Sequence, residues 1–420
     1  MNPNPVHRST RGAALAALLL IGAPLDAQQP SSAAPSPRPV DLTICLDTSG
    51  SMSGLIDAAR QNIWAIVNDL ALMTPTPKLR VALLTFGNDG HDQARGWVNV
   101  DAPFTDDLDL ISQRLFALGT NGGTELVGRV VHTAVQELDW SADPTALRIL
   151  VVAGNESADQ DREVSFRDAC KSAIGRDVLV NSIYCGAPTH EDATLWREVA
   201  TLADGAFAAI DQNDGTVVIE TPLDPRLAEL GAKLNETYVP YGSNWAACVT
   251  NQRAQDSNAA GVNVAAAAQR AVCKATSNYV NSGWDLVDAL RTETVKLEDV
   301  DKAKLPEELK KLTTEELRAH VDAMAAKRRE LQAEIAELRG QRDVLVAREM
   351  ERRALDGGGS FEFAVRRAVR AQAAAKGFAF PASPANDAAT EVDGPAVETT
   401  PVRSLPAGRA GQAIQQLRKC

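Results

Sequence analysis

Asp47, Ser49 and Ser51 occupy alternate positions in one short segment, Asp47-Thr48-Ser49-Gly50-Ser51. One carboxylate and two hydroxyls on a single turn are hard oxygen donors, suited to Mg²⁺, Mn²⁺ or Ca²⁺. A third hydroxyl, Thr124, stands far along the chain in Thr120-Asn121-Gly122-Gly123-Thr124. The two glycines there permit a close backbone approach. A helical pattern follows each segment. A helix N-terminus repels a cation, so Asp47 must hold it, and waters or an acidic ligand must complete the shell. Ser and Thr also cap helices and turns with no metal involved, which is the competing reading of Ser49, Ser51 and Thr124.

These residues need a frame. An apolar run over 40–46 stops at Asp47, and 55–72 then has helical spacing through Leu55, Ile56, Ala59, Ile63, Ile66, Val67 and Leu70. β-rich runs are predicted over 79–86, 97–100, 147–153, 178–184 and 206–210. Helices are predicted over 108–118, 125–138, 164–174 and 193–202. Continuous apolar strands alternating with helices imply an α/β fold whose mostly parallel sheet is covered on both faces. Ligands of such sheets bind beyond the carboxyl ends of the strands, where Asp47 lies.

The Asp-x-Ser-x-Ser segment, the later Gly-Gly-Thr and their flanking elements together resemble the von Willebrand factor type A (VWA) domain. The resemblance spans about residues 40–220 and implies a Rossmann-like sheet with a metal-ion-dependent adhesion site at its top. It implies that Asp47, Ser49, Ser51 and Thr124 line a divalent ion, Mg²⁺ or else Mn²⁺ or Ca²⁺, and that a partner's carboxylate fills the open position. One departure is visible. The family's fourth strand ends in Thr-Asp-Gly, whereas here Gly154 occupies the Asp position, in Val152-Ala153-Gly154-Asn155-Glu156. Asn155 and Glu156 are the candidate substitutes, with Asp159 and Asp161 more remote.

Other chemistries find little support. There is no His-Glu-x-x-His, no phosphate-binding Gly-x-x-x-x-Gly-Lys and no Gly-x-Gly-x-x-Gly after a strand. Gly50-Ser51-Met52-Ser53-Gly54 has the outline of a nucleophile elbow, but Met52 holds the nucleophile's place. His132 reads as a partly buried or surface histidine on a helix rather than a base, and His91 as a loop residue near the site's rim. Lys plus Arg number 43 against 55 Asp plus Glu, a net charge of −12, which argues against nucleic acid as a partner.

The N-terminus carries the compartment signal. His7, Arg8 and Arg11 precede an apolar run over 13–25, then Leu25-Asp26-Ala27 offers a cleavage site. Residues 1–27 therefore read as a signal peptide, with an uncleaved anchor as the alternative, and 28–39 as a flexible linker. No later stretch approaches the ~18 apolar residues of a membrane span, so a periplasmic or secreted chain is expected. Export permits disulfides; Cys170–Cys185 and Cys248–Cys273 are the candidate pairs among six cysteines.

The VWA domain is expected over 40–222 and a helical extension over 223–300, similar to that of some exported bacterial VWA proteins. A long charged helix follows over 301–356. Its residues Leu317, Val321, Met324, Leu331, Ile335, Leu338 and Leu345 keep 4-3 spacing, interrupted by Arg328 and Arg342. A homodimer through a parallel coiled coil is one reading, and packing against the preceding helices is the other. Gly357-Gly358-Gly359 reads as a hinge, and 357–380 contains a short basic amphipathic helix expected to dock on the helical region. Residues 381–420 read as a disordered tail.

Function follows as an expectation: an exported, non-enzymatic binding protein mediating adhesion to a protein or surface polymer through a divalent-metal site. A metal-free envelope scaffold with a degenerate site is the alternative. A hydrolase is the third reading, and no nucleophile–base set supports it.

Overall fold

The computed structural model describes residues 37–210, 218–354 and 361–380. The expected signal peptide at 1–27, most of the expected linker at 28–39, the expected hinge at 357–359, the expected tail at 381–420 and Cys420 lie outside the described residues.

The chain opens with β1 (Arg38–Asp47), α1 (Ser53–Leu70), β2 (Pro77–Phe86), β3 (Asn99–Thr105), α2 (Leu108–Ala117) and α3 (Val127–Glu137). It continues with β4 (Leu147–Gly154), α4 (Phe166–Gly175), β5 (Leu179–Cys185), α5 (Glu191–Leu202) and β6 (Phe207–Ile210). The six strands form one sheet in the order β3-β2-β1-β4-β5-β6. Only β3 runs antiparallel, against β2. Two expected limits move. β1 begins at Arg38, inside the stretch expected as linker. The third strand starts at Asn99, after Trp97, whose left-handed backbone (φ 53°) interrupts an extended run.

Alternation along the strands divides the core between the two faces. Leu42, Ile44 and Leu46 of β1, Leu79, Val81 and Leu83 of β2, and Ile149 and Val151 of β4 face α1 and α2. Cys45, Leu84, Phe86, Leu150 and Val152 face α3, α4 and α5. The same alternation overturns the first disulfide pair: Cys185 packs on the α1 face and Cys170, from α4, on the other. The second pair fails as well. Cys273 is fully buried in the α1-side core, while Cys248 is half-buried on the first turn of the helix that precedes it, Trp245–Val262. All five described cysteines are unpaired.

The second half comprises α6 (Asp224–Asn235), α7 (Trp245–Val262), α8 (Val264–Lys274), α9 (Leu286–Arg291), the single turn α10 (Glu307–Lys310), α11 (Thr314–Ala354) and α12 (Phe361–Ala375). Thr313 and Glu316 form a reciprocal capping box at the start of α11: each backbone N–H donates to the other's side chain, at 2.8 and 3.2 Å. The apolar seam of α11 is used within the chain. Leu317 and Val321 pack with Val239, Leu286 and Leu297, and Ile335 packs with Leu227, Leu230 and Leu234. Of the two readings of that seam, the packing against the preceding helices is the one observed, and the surface a coiled-coil dimer would use is already covered. Arg328 and Arg342, the residues that interrupt it, are buried ion-pair anchors on Asp285 and Asp224.

α12 also departs from expectation. It returns to the sheet domain, where Val365, Val369 and Ala373 join the α1-side core; the side chains of Phe361 and Ala364 lie outside the described set. Asp69, near the end of α1, accepts hydrogen bonds from Arg366 and Arg370. Burial pushes the Asp69 carboxyl up, but the Arg370 and Arg366 hydrogen bonds and charges outweigh it and hold it below the ordinary range. A depressed folded-state value contributes stability above the unfolded value and loses it as pH falls. Amide exchange over residues 365–375 should thus accelerate relative to β4 as pH drops from 7 to 3, and Asp69→Asn should remove that difference. An equal change in both segments would mean that this pair does not hold α12 in place.

Candidate metal centre

Asp47 is the last residue of β1 and is fully buried. β1 is flanked by β2 and β4, so the chain leaves it at a reversal of strand order, where neighbouring loops diverge and leave a crevice. The turn after it is rigid. The Thr48 N–H and hydroxyl both donate to the Phe86 carbonyl, at 2.8 and 3.0 Å. The Ser49 N–H donates to Asp47 Oδ1 at 2.7 Å. Ser49 Oγ and Ser51 Oγ lie 3.3 Å apart.

The distant Gly-Gly-Thr segment is tied to this turn through backbone. The Gly50 N–H donates to the Gly122 carbonyl and the Asn121 N–H to the Thr48 carbonyl, both at 3.0 Å. Thr124 bridges to Gly87 at the end of β2. From the β4 side, Asn155 Nδ2 donates to Ser51 Oγ at 3.0 Å. Asp47, Ser49, Ser51, Thr124 and Asn155 thus border one end of the sheet. Cap bonds do not account for this. The N-cap of α1 is Met52, and neither it nor Leu126, the N-cap of α3, makes a side-chain cap bond.

Glu125 belongs to the cluster, and sequence reasoning missed it. It is 3% exposed, and its carboxyl lies within hydrogen-bond reach of Asp47 and Ser49. Burial raises both carboxyls above their ordinary range. The Asp47 charge adds to the rise at Glu125, while hydrogen bonding with Glu125 offsets part of it at Asp47. The available signal was a carboxylate directly after the third hydroxyl. Gly87 makes room for the pair. A Cβ there would lie 2.7 Å from Asp47 Oδ1 and 2.9 Å from Glu125 Cγ, and its φ of +78° also favours glycine.

Gly154 is hemmed in. A Cβ on it would meet Trp196 Cη2 at 3.1 Å and Asp47 Oδ2 at 3.2 Å. The Trp196 indole N–H donates to the Glu156 carbonyl at 2.7 Å and pins the loop. Of the substitutes, Asn155 reaches the hydroxyls. Glu156 is exposed and contributes its charge from nearby. Asp159 and Asp161 do not take part; they are ion-paired to Arg167 and Arg129.

Three buried oxygens, Asp47 Oδ2, Glu125 Oε2 and Asn155 Oδ1, meet no hydrogen-bond donor. Buried polar atoms are almost always satisfied, so three such oxygens at one sheet end fit the donor set of a cation. All are hard donors of the class that Mg²⁺ and Mn²⁺ prefer. Among the described residues no three His, Cys, Asp or Glu side chains converge on one point. Two carboxylates, with hydroxyls and an amide, are therefore the available set. His91 is engaged elsewhere, with Nε2 2.9 Å from Thr85 Oγ1, and His132 is exposed on α3.

Comparison with known proteins agrees with the fold. Residues 41–213 match the family model described as the von Willebrand factor type A domain. A search of curated proteins gives no match. Among solved structures, a von Willebrand factor type A protein from Catenulispora acidiphila is 20% identical, covering 42% of this chain and 40% of its own, at a TM-score of 0.33. Proximal thread matrix protein 1 from the mussel byssus, with a zinc-occupied MIDAS motif, is 13% identical over 41% of this chain and 42% of its own, at 0.33. The SpRpn10 VWA domain is 16% identical over 43% of this chain and 98% of its own, at 0.33. This chain therefore spans less than half of the first two proteins, and at these scores the likeness carries no argument about function. Among the described residues no helix is long and apolar enough to cross a membrane. With the matched segment, the six-stranded sheet and the Asp-x-Ser-x-Ser turn at its carboxyl end, residues 41–213 are a von Willebrand factor type A domain, a family that generally mediates protein–protein interactions.

Proposed function

We propose that this chain is an exported, non-enzymatic binding protein whose VWA domain engages an acidic group on a partner protein or surface polymer through a divalent-metal site. The observation that carries the reading is the gathering of Asp47, Ser49, Ser51, Asn155 and the backbone-bridged Thr124 at one end of the sheet, with buried Asp47, Glu125 and Asn155 oxygens that lack donors. Held there, Mg²⁺ or Mn²⁺ would supply a hard electrophilic point for a partner's carboxylate. The chain's own part is to fix the donors: the Thr48 and Gly50 backbone bonds lock the turn, and Trp196 pins the β4 loop. The net charge of −12 supports a partner other than nucleic acid.

Calorimetric titration of the purified full chain with Mn²⁺ tests this. The wild type should bind, and Asp47→Ala should weaken binding by about 100-fold or more, since a carboxylate is the dominant ligand for a hard cation. No binding by the wild type would remove the metal site. The second reading, a metal-free envelope scaffold, is favoured by Gly154, where the family's Asp is missing. Retention on an envelope partner that survives EDTA would support it.

A further inference from the structure

We propose that Glu125 supplies the carboxylate missing from the fourth strand, so that the second anionic ligand comes from the loop bearing Thr124. The inference rests on the metal-site reading above and concerns how this chain builds the site without the strand-four Asp.

The strand-four position is crowded for a side chain. The place where a Gly154 Cβ would begin is bounded by Trp196 at 3.1 Å and by Asp47 at 3.2 Å. The position beside Asp47 on its other flank is open only because residue 87 is glycine, and Glu125 fills it. Glu125 is 3% exposed and Asp47 is fully buried. Neither makes an ion pair among the described residues. One oxygen of each, Oε2 and Oδ2, has no donor. Two buried carboxyls can face each other without a cation only by keeping a proton between them. Elsewhere in this chain buried carboxylates are matched: Asp285 by Arg328, Asp224 by Arg342 and Asp109 by Arg270. The unmatched pair coincides with the hydroxyl cluster. A divalent hard cation neutralises two carboxylates and accepts their free oxygens together with those of Ser49 and Thr124.

Mn²⁺ affinity of the full chain, read by electron paramagnetic resonance and calorimetry, tests the assignment. Glu125→Gln keeps the shape and removes the charge; it should weaken Mn²⁺ binding by about 100-fold or more. Glu125→Asp keeps the charge on a shorter arm and should fall between that variant and the wild type. Glu156→Gln, exposed nearby, should change affinity less than about threefold. Chemical unfolding in EDTA serves as the folding control, and there Glu125→Gln should be no less stable than the wild type, because it relieves a carboxyl pair. If the wild type binds Mn²⁺ and Glu125→Gln binds it within threefold, this inference fails and the metal-site reading stands. If the wild type does not bind, both fail. If Glu125→Gln cannot fold in EDTA, Glu125 is a structural hydrogen-bonding group and the inference is overturned.

Discussion

Replacing Arg270 by Met is expected to lower the unfolding free energy by about 3–5 kcal/mol, the usual consequence of removing one member of a buried ion pair. Arg270 is 2% exposed on α8. Its guanidinium lies 2.6 Å from Asp109 of α2 and 2.9 Å from Asp256 of α7, with its carbon 4.7 Å from the Trp64 ring centre on α1. Four helices from both halves thus meet at one cation. Lys274 Nζ, 2.8 Å from Asp256 Oδ2, would still neutralise that carboxylate. Asp109 would retain only the Tyr279 hydroxyl, at 2.7 Å, and would be a buried charge without a counter-charge. Urea unfolding followed by circular dichroism measures the loss. Arg270→Met with Asp109→Asn should recover more than half of it, because the orphaned charge is then gone. A single-variant loss below about 1 kcal/mol would mean that the cluster is solvated and does not join the two halves.

Arg328→Met should have a comparable effect, about 3–5 kcal/mol, concentrated on the attachment of α11. Arg328 reaches Asp285 at 2.8 Å, the Thr237 carbonyl at 2.7 Å and the Thr237 hydroxyl at 3.0 Å. It also stacks over the Tyr238 ring at 4.3 Å. Asp285 is fully buried, caps α9 through the Asp288 N–H and accepts from the Val239 N–H. Without Arg328, burial and the nearby Asp288 charge would be offset by the Val239 N–H hydrogen bond alone among the causes acting on it. Hydrogen exchange should accelerate across 317–338 while the sheet strands stay protected. Adding Asp285→Asn should restore much of the protection. Uniform exchange across the whole chain would show instead that α11 and the sheet unfold as one unit.

Both effects bear on how readable this chain is. The alternation of apolar strands and helices over 40–210 is a local pattern, and the sheet follows it closely. The donor spacing Asp47-x-Ser49-x-Ser51 is equally local, because three alternating residues on one turn converge wherever that turn forms. Arg328 and Arg342 show where local reading ends. An arginine in an apolar seam looks the same in sequence whether it is solvated or meets a buried aspartate contributed by residues 285 or 224. The seam allowed either self-association or packing within the chain, and the partner surface lies within the chain. Cys170 and Cys185 were close in sequence, but strand alternation sent them to opposite faces.

By itself, then, the sequence determined the VWA sheet, the place of Asp47 at its carboxyl end, and the absence of an Asp at residue 154. Only the tertiary structure decided that Glu125 faces Asp47, that Gly87 makes the space for it, and that α12 closes over the α1 face. The physical reason is range. Periodicity and turn chemistry act over a few residues, whereas burial and charge matching depend on which distant loops the sheet order brings together.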